Sequence, residues 1–169
     1  MTHLDRRTLL GTLALAGAAA TSVQAQPGMK ALSDLKKEAE VACVYHCDYG
    51  DAARFAQTLT NIGNHYAAYG SNPFDLQIVL VAHSGGVKYF LDNLQGTSWS
   101  TETIDPQMFS RIEALAKTGL RVHLCRMTFE RQKIDPAKAR TNDFTSFVPS
   151  GVATVAALQA KGFAYMKIG

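Results

Sequence analysis

Apolar and polar residues alternate in blocks along this chain of 169 residues, and the blocks switch period as they go. Val41 to Cys47 is an apolar run with two β-branched residues and a tyrosine, which reads as a buried strand. Phe55, Leu59, Ile62 and Tyr66 then recur at helical spacing, with Asp48 or Asp51 as the cap and Gly70 as the stop. Leu76 to Ala82 is the most hydrophobic run and predicts a central strand. Gly85-Gly86 breaks it, and Val87 to Leu94 predicts a short helix. A polar loop from Gln95 to Thr103 follows. Asp105-Pro106 supplies an N-cap and a first-turn proline to a helix that buries Phe109, Ile112, Leu115 and Ala116 and ends at Gly119. Leu120 to Cys125 predicts the next strand, and Arg126-Met127-Thr128 a loop after it. Met127 to Asn142 is polar and irregular. Phe144 to Val148 predicts a fourth strand, Ser150 caps a helix through Lys161, and Phe163 to Ile168 a last strand. Ahead of them all, Ser33 is placed to cap a short helix through Glu40.

Strands alternating with helices predict an α/β protein with a mostly parallel five-stranded sheet, helices on both faces, in a flavodoxin-like three-layer fold. The expected strand order is 2-1-3-4-5. It sets the first and third strands side by side, with a ligand crevice at their carboxyl ends.

The first 25 residues stand apart from this pattern. Arg6-Arg7, an apolar run from Leu9 to Ala20, and the small residues Val23 and Ala25 form a secretory signal with a cut after Ala25. The arginine pair followed by Thr8-Leu9-Leu10 resembles a twin-arginine signal. The expectation is a single domain over 26–169, exported to the periplasm, soluble and without membrane insertion. With Arg6, Arg7 and Asp5 removed, the 17 basic and 14 acidic residues fall to 15 and 13. So mild and dispersed a balance argues against nucleic acid as a partner.

Export gives the three cysteines, Cys43, Cys47 and Cys125, an added significance. An odd count in an oxidising compartment leaves at least one thiol free, metal-bound or paired between chains. Cys43 and Cys47 lie too far apart along one strand for a disulfide between them. In the expected topology the strand ends His46-Cys47, His83-Ser84-Gly85-Gly86 and His123-Leu124-Cys125 share one rim. His123 faces the same side of its strand as Cys125, whereas His46 and Cys47 face opposite sides. A thiol there gains reactivity from a nearby cation or helix N-terminus, Arg126 being adjacent in sequence. The backbone amides of Ser84, Gly85 and Gly86 are placed to donate to an anionic sulfur. Cys47 near Cys125 suggests a disulfide or resolving pair. The same His and Cys residues are also candidate zinc or copper ligands, although they come from separate elements. Ala82-His83-Ser84-Gly85-Gly86 partly matches a hydrolase nucleophile elbow, but His123 sits within a strand and the chain is short for that fold.

Several segments together resemble one family. They are Gln57-Thr58-Leu59-Thr60-Asn61-Ile62-Gly63-Asn64-His65, Ile78 to Val87, Cys125-Arg126-Met127-Thr128, and Val148 to Val152 with Leu158 to Tyr165. In that order they are similar to the DsrE/DsrF-like family of sulfur-trafficking proteins. The resemblance implies a flavodoxin-like fold without flavin or other cofactor, assembled as homotrimers or homohexamers. It also implies a cysteine that carries sulfur as a persulfide, at the position of Cys125. The resulting expectation is a periplasmic sulfur carrier or sulfurtransferase-like protein. Cys125 and His83 would carry the chemistry, and His46, Cys47, Ser84, Gly85, Gly86, Arg126 and Thr128 the binding. Its partner would be a sulfur donor or acceptor protein or a small sulfur compound. A non-catalytic binding module at the same rim and a thiol–disulfide protein using Cys47 and Cys125 are the alternatives.

Overall fold

The computed structural model describes residues 25–168; the signal-sequence reading lies almost wholly outside them. Five parallel strands form one sheet: β1 (Val41–Cys47), β2 (Leu76–Ala82), β3 (Arg121–Cys125), β4 (Thr145–Val148) and β5 (Ala164–Met166). The helices are α1 (Ala52–Ala68), α2 (Pro106–Lys117), α3 (Arg126–Arg131) and α4 (Gly151–Ala160). Among the described residues no helix is long and apolar enough to cross a membrane.

Local signals set most boundaries. Asp51, rather than Asp48, caps α1 by accepting from the Arg54 amide at 2.7 Å. Asp105 caps α2 with Pro106 in its first turn, and the Ser150 side chain caps α4. Gly70, Gly119 and Gly162 follow α1, α2 and α4 with positive φ, the conformation glycine adopts without strain. The first expected helix shrinks to a 3-10 segment, Leu32–Asp34, and the one expected over Val87 to Leu94 is a 3-10 segment that starts earlier and takes in Gly85-Gly86, Ser84–Phe90. In the opposite sense, the expected loop after Cys125 is α3, anchored by the fully buried Phe129.

The strand order is β4-β3-β2-β1-β5, which overturns the expected 2-1-3-4-5. β2 is central, as its hydrophobicity predicts, so β1 and β3 are not neighbours. The reason lies in the crossovers. The chain steps in one direction from β1 to β4, then α4 carries it back along the opposite face to place β5 outside β1.

Alternation along the strands divides the core between the two faces. Cys43, Tyr45 and Cys47 of β1, with Ile78, Leu80 and Ala82 of β2, pack beneath Phe55, Ile62 and Ile112 of α1 and α2. Ala42, Val44, Val79 and Val81 pack beneath Val155 and Leu158 of α4. Just after the predicted cut, the Gly28 carbonyl and the Lys30 amide hydrogen-bond with Phe147, which lines the outer edge of β4 with backbone.

The chain packs closely where the turn after β2 crosses β1. A Cβ on Gly86 would lie 2.3 Å from the Cys47 carbonyl oxygen and 2.7 Å from its Sγ. The carbonyl is backbone and accepts from the His83 amide at 3.0 Å, so it cannot yield cheaply. Gly86→Ala is therefore expected to destabilise the fold by about 2–3 kcal/mol, within the range for overpacking. Urea unfolding monitored by circular dichroism measures this, and an unchanged midpoint would contradict the packing.

Candidate functional site

The helix that follows β3 and the helix that follows β4 lie on opposite faces of the sheet. Phe129 of α3 joins the α1–α2 side of the core, whereas α4 covers the other side. The carboxyl ends of β3 and β4 thus form a topological switch point, where open α/β sheets place ligands. Cys125 is the last residue of β3 at that point.

Beside Cys125 is a small cavity of about 140 Å³. His83 and Ser84 line it from the turn after β2, and Thr128 and Arg131 from α3. Ser150 and Val152, at the start of α4, close the remaining side. The thiol is only 5 % exposed, so access runs through this cavity. The positive end of the α4 dipole and the Arg131 guanidinium both favour negative charge there.

The loop architecture holds the cavity open. Ser84 has φ 49°, an uncommon value for a residue with a side chain. Its amide donates to Thr128 Oγ1 at 3.0 Å, which ties the turn after β2 to α3. The Gly86 amide donates to the His83 carbonyl. Gly85 presses against the Gly50 backbone, where a Cβ would come within 2.6 Å of the Gly50 nitrogen. Two of the three amides expected to cradle an anion are therefore engaged within the protein. Arg126 is similarly diverted, with its guanidinium over the Phe147 ring and its Nε 3.5 Å from Glu130.

Cys47 lies apart from this site. It is fully buried on the α1–α2 face, and burial pushes its thiol up to about 12. Cys43 lies on the same face and burial raises it too. Cys47 is registered with Ala82, which is registered with Leu124. Two strand spacings, roughly 10 Å, separate Cys47 from β3, against about 4.4–6.8 Å between Cα atoms for a disulfide. The two thiols also face opposite sides of the sheet. The expected pairing of Cys47 with Cys125 cannot form in this fold, because it rests on β1 and β3 being adjacent.

The histidines are divided as well. His46 Nε2 lies 2.6 Å from His83 Nε2. His46 Nδ1 is 2.9 Å from the Tyr165 hydroxyl of β5, and His83 Nδ1 is 3.2 Å from Ser84 Oγ. Burial lowers the pKa of both rings, and for His83 the charge on His46 adds to the effect. Gly151 allows α4 to begin against the His83 ring, since a Cβ there would sit 2.9 Å from His83 Cβ and Cδ2. His123 shares the Cys125 face but lies deeper, with Nδ1 2.8 Å from Ser146 Oγ. It lines a separate cavity with Lys30 and Arg121.

Sequence reasoning reaches Cys125, His83, Ser84 and Thr128 as strand-end and loop residues, and the fold brings these four together. It misses Arg131, Gln132, Ser150 and Val152 around the thiol, and the pairing of Tyr165 with His46. Arg131 becomes legible only if residues 126–131 are read as helical, which brings its side chain back over the cavity.

These features define an α/β protein with one cavity-lining thiol at a sheet switch point. The chain belongs to the DsrE/DsrF-like family, whose sequence profile matches residues 41–168. A solved structure with the same fold is that of MTH1491, a protein of unknown function from Methanobacterium thermoautotrophicum. The two share 23% identity with a TM-score of 0.58, over 76% of this chain and 99% of that one. No curated protein matches the chain. Family membership points to a role in sulfur relay.

Proposed function

We propose that this protein is a periplasmic sulfur carrier that holds sulfane sulfur as a persulfide on Cys125. The observation behind this reading is the contrast among the three thiols. Cys125 borders a cavity ringed by polar side chains, a guanidinium and a helix start, whereas Cys43 and Cys47 are sealed in the core. In the loading step the Cys125 thiolate attacks the terminal sulfur of an inorganic polysulfide. A sulfur–sulfur bond of the donor breaks, and its electron pair leaves with the shortened polysulfide. The sulfur that stays forms a persulfide, whose negative charge remains beside Arg131 and the start of α4. A cavity of about 140 Å³ admits a few atoms, which suits a sulfur chain better than a large substrate.

The signal pattern in residues 1–25 supports export, with the domain beginning near residue 26. Family resemblance supports assembly as a trimer or hexamer, which sedimentation equilibrium measures. Intact-mass analysis after incubation with polysulfide tests the carrier reading. Wild type is expected to gain whole sulfur atoms that a thiol reductant removes; a mass that never changes would refute the reading.

A further inference from the structure

Beyond sulfur handling, we propose that His46, His83 and Asp48 form a binding site for a divalent transition-metal ion, zinc by donor type. Their three ligand atoms lie within 4.8 Å of one another. They come from two adjacent strand ends: His46 is the penultimate residue of β1, Asp48 follows β1 directly, and His83 follows β2. The set is two imidazole nitrogens and one carboxylate oxygen, a combination that binds zinc in open sites and leaves a position for water or a small ligand.

The orientation of the rings supports this. Each imidazole directs Nε2 at the other and places Nδ1 against a hydroxyl, Tyr165 for His46 and Ser84 for His83. Metal-binding histidines characteristically use one ring nitrogen for the ion and anchor the other on an outer partner. When both Nδ1 atoms donate to their hydroxyls, two bare lone pairs meet at Nε2 and a cation between them relieves the repulsion. The rival arrangement is a neutral pair joined by one N–H···N bond, which gives the Asp48 carboxylate no role. Asp48 is exposed and makes no side-chain hydrogen bond or ion pair among the described residues. Tetrahedral zinc with bonds of about 2.0–2.1 Å needs the two nitrogens roughly 3.3 Å apart. The 2.6 Å gap must therefore open by less than an ångström. His46 has room for that adjustment, being half-buried beside the edge strand β5.

Cys125 stands outside the ligand set, although it shares a cavity with His83. Metal binding and sulfur loading are thus separable by mutation. Protein stripped with a chelator is titrated with Zn²⁺ alone, in competition with a chromophoric chelator. One zinc per chain is expected. His46→Ala and His83→Ala should each weaken binding by more than the about 10–100-fold that an outer-shell change costs, and Tyr165→Phe by about 10-fold. Asp48→Asn, at an exposed position, should weaken binding without disturbing the fold, and Cys125→Ser should bind as wild type does. Circular dichroism confirms the fold of each variant, and the Asp48 and Tyr165 variants keep the test valid if an alanine variant unfolds. The proposal fails if wild type takes up no stoichiometric zinc, if Asp48→Asn and Tyr165→Phe both bind as tightly as wild type, or if Cys125→Ser abolishes binding.

Discussion

With Cys125 replaced by serine, polysulfide treatment should leave the protein's mass unchanged, while Cys43→Ala and Cys47→Ala proteins load sulfur as wild type does. The difference rests on access and charge. Cys47 is fully buried and burial pushes its thiol up to about 12, so near neutral pH it is a thiol and a poor nucleophile. Cys43 is also buried on the α1–α2 side, with its ionisation suppressed by the same cause. Cys125 alone opens to a cavity with a guanidinium and a helix start around it. Serine keeps nearly the same volume, so the Cys125→Ser protein should unfold at the urea concentration wild type does. Arg131→Ala should slow loading without abolishing it. A Cys125→Ser protein that still gains sulfur would place the cargo elsewhere, and loading lost in Cys47→Ala would contradict the burial argument.

Stability should fall by about 3 kcal/mol between pH 7 and pH 4, most of it through His123. The ring is 4 % exposed, and burial with the nearby Lys30 charge lowers it from an ordinary 6.5 to about 4. Because the unfolded chain has the higher affinity for the proton, acid favours unfolding. The stabilisation is complete above about pH 6.5 and is lost as pH falls toward 4. The surroundings offer little relief. Lys30, Lys36 and Arg121 line the cavity beside His123, with Glu38 the one acidic residue among its lining. The Val122 carbonyl, 3.1 Å from Nδ1, offsets only part of the cost. Urea unfolding at stepped pH measures the slope, and His123→Asn should flatten it. An equally steep slope in that variant would assign the loss to other groups.

Elements governed by local chemistry were legible from the sequence. Asp51, the Asp105-Pro106 pair and Ser150 mark their helix starts because each satisfies backbone amides within three residues. β1 and β2 stand out because strands covered on both faces carry unbroken apolar runs. The strand order was not legible, because it depends on which face the last crossover takes, and no residue of α4 encodes that choice by its own propensity. The consequences reached the site. Cys125 and His83 were recognisable as strand ends on one rim, and the fold keeps them on one cavity, whereas Cys47, expected beside them, lies two strands away on the other face. Arg126-Met127-Thr128 lacks a helix cap or a periodic face. Burial of Thr128 and Phe129 accompanies its helical form, so the place of Arg131 in the cavity lining depends on tertiary packing. Tyr165 was equally hidden, since its contact with His46 exists only because β5 returns beside β1.

If Cys125 carries sulfur as proposed, the width of β2 between Cys47 and Cys125 also governs the kinetics of unloading. A carrier with a second thiol in reach can expel its cargo internally, as sulfide with a disulfide left behind. Here no such thiol is available among the described residues, so a sulfur atom on Cys125 leaves only when an outside nucleophile enters the cavity. Discharge should therefore be second order, with a rate that rises in proportion to acceptor concentration and extrapolates to near zero without acceptor. A chain carrying sulfur on Cys125 as proposed would then be a store whose release is timed by the acceptor.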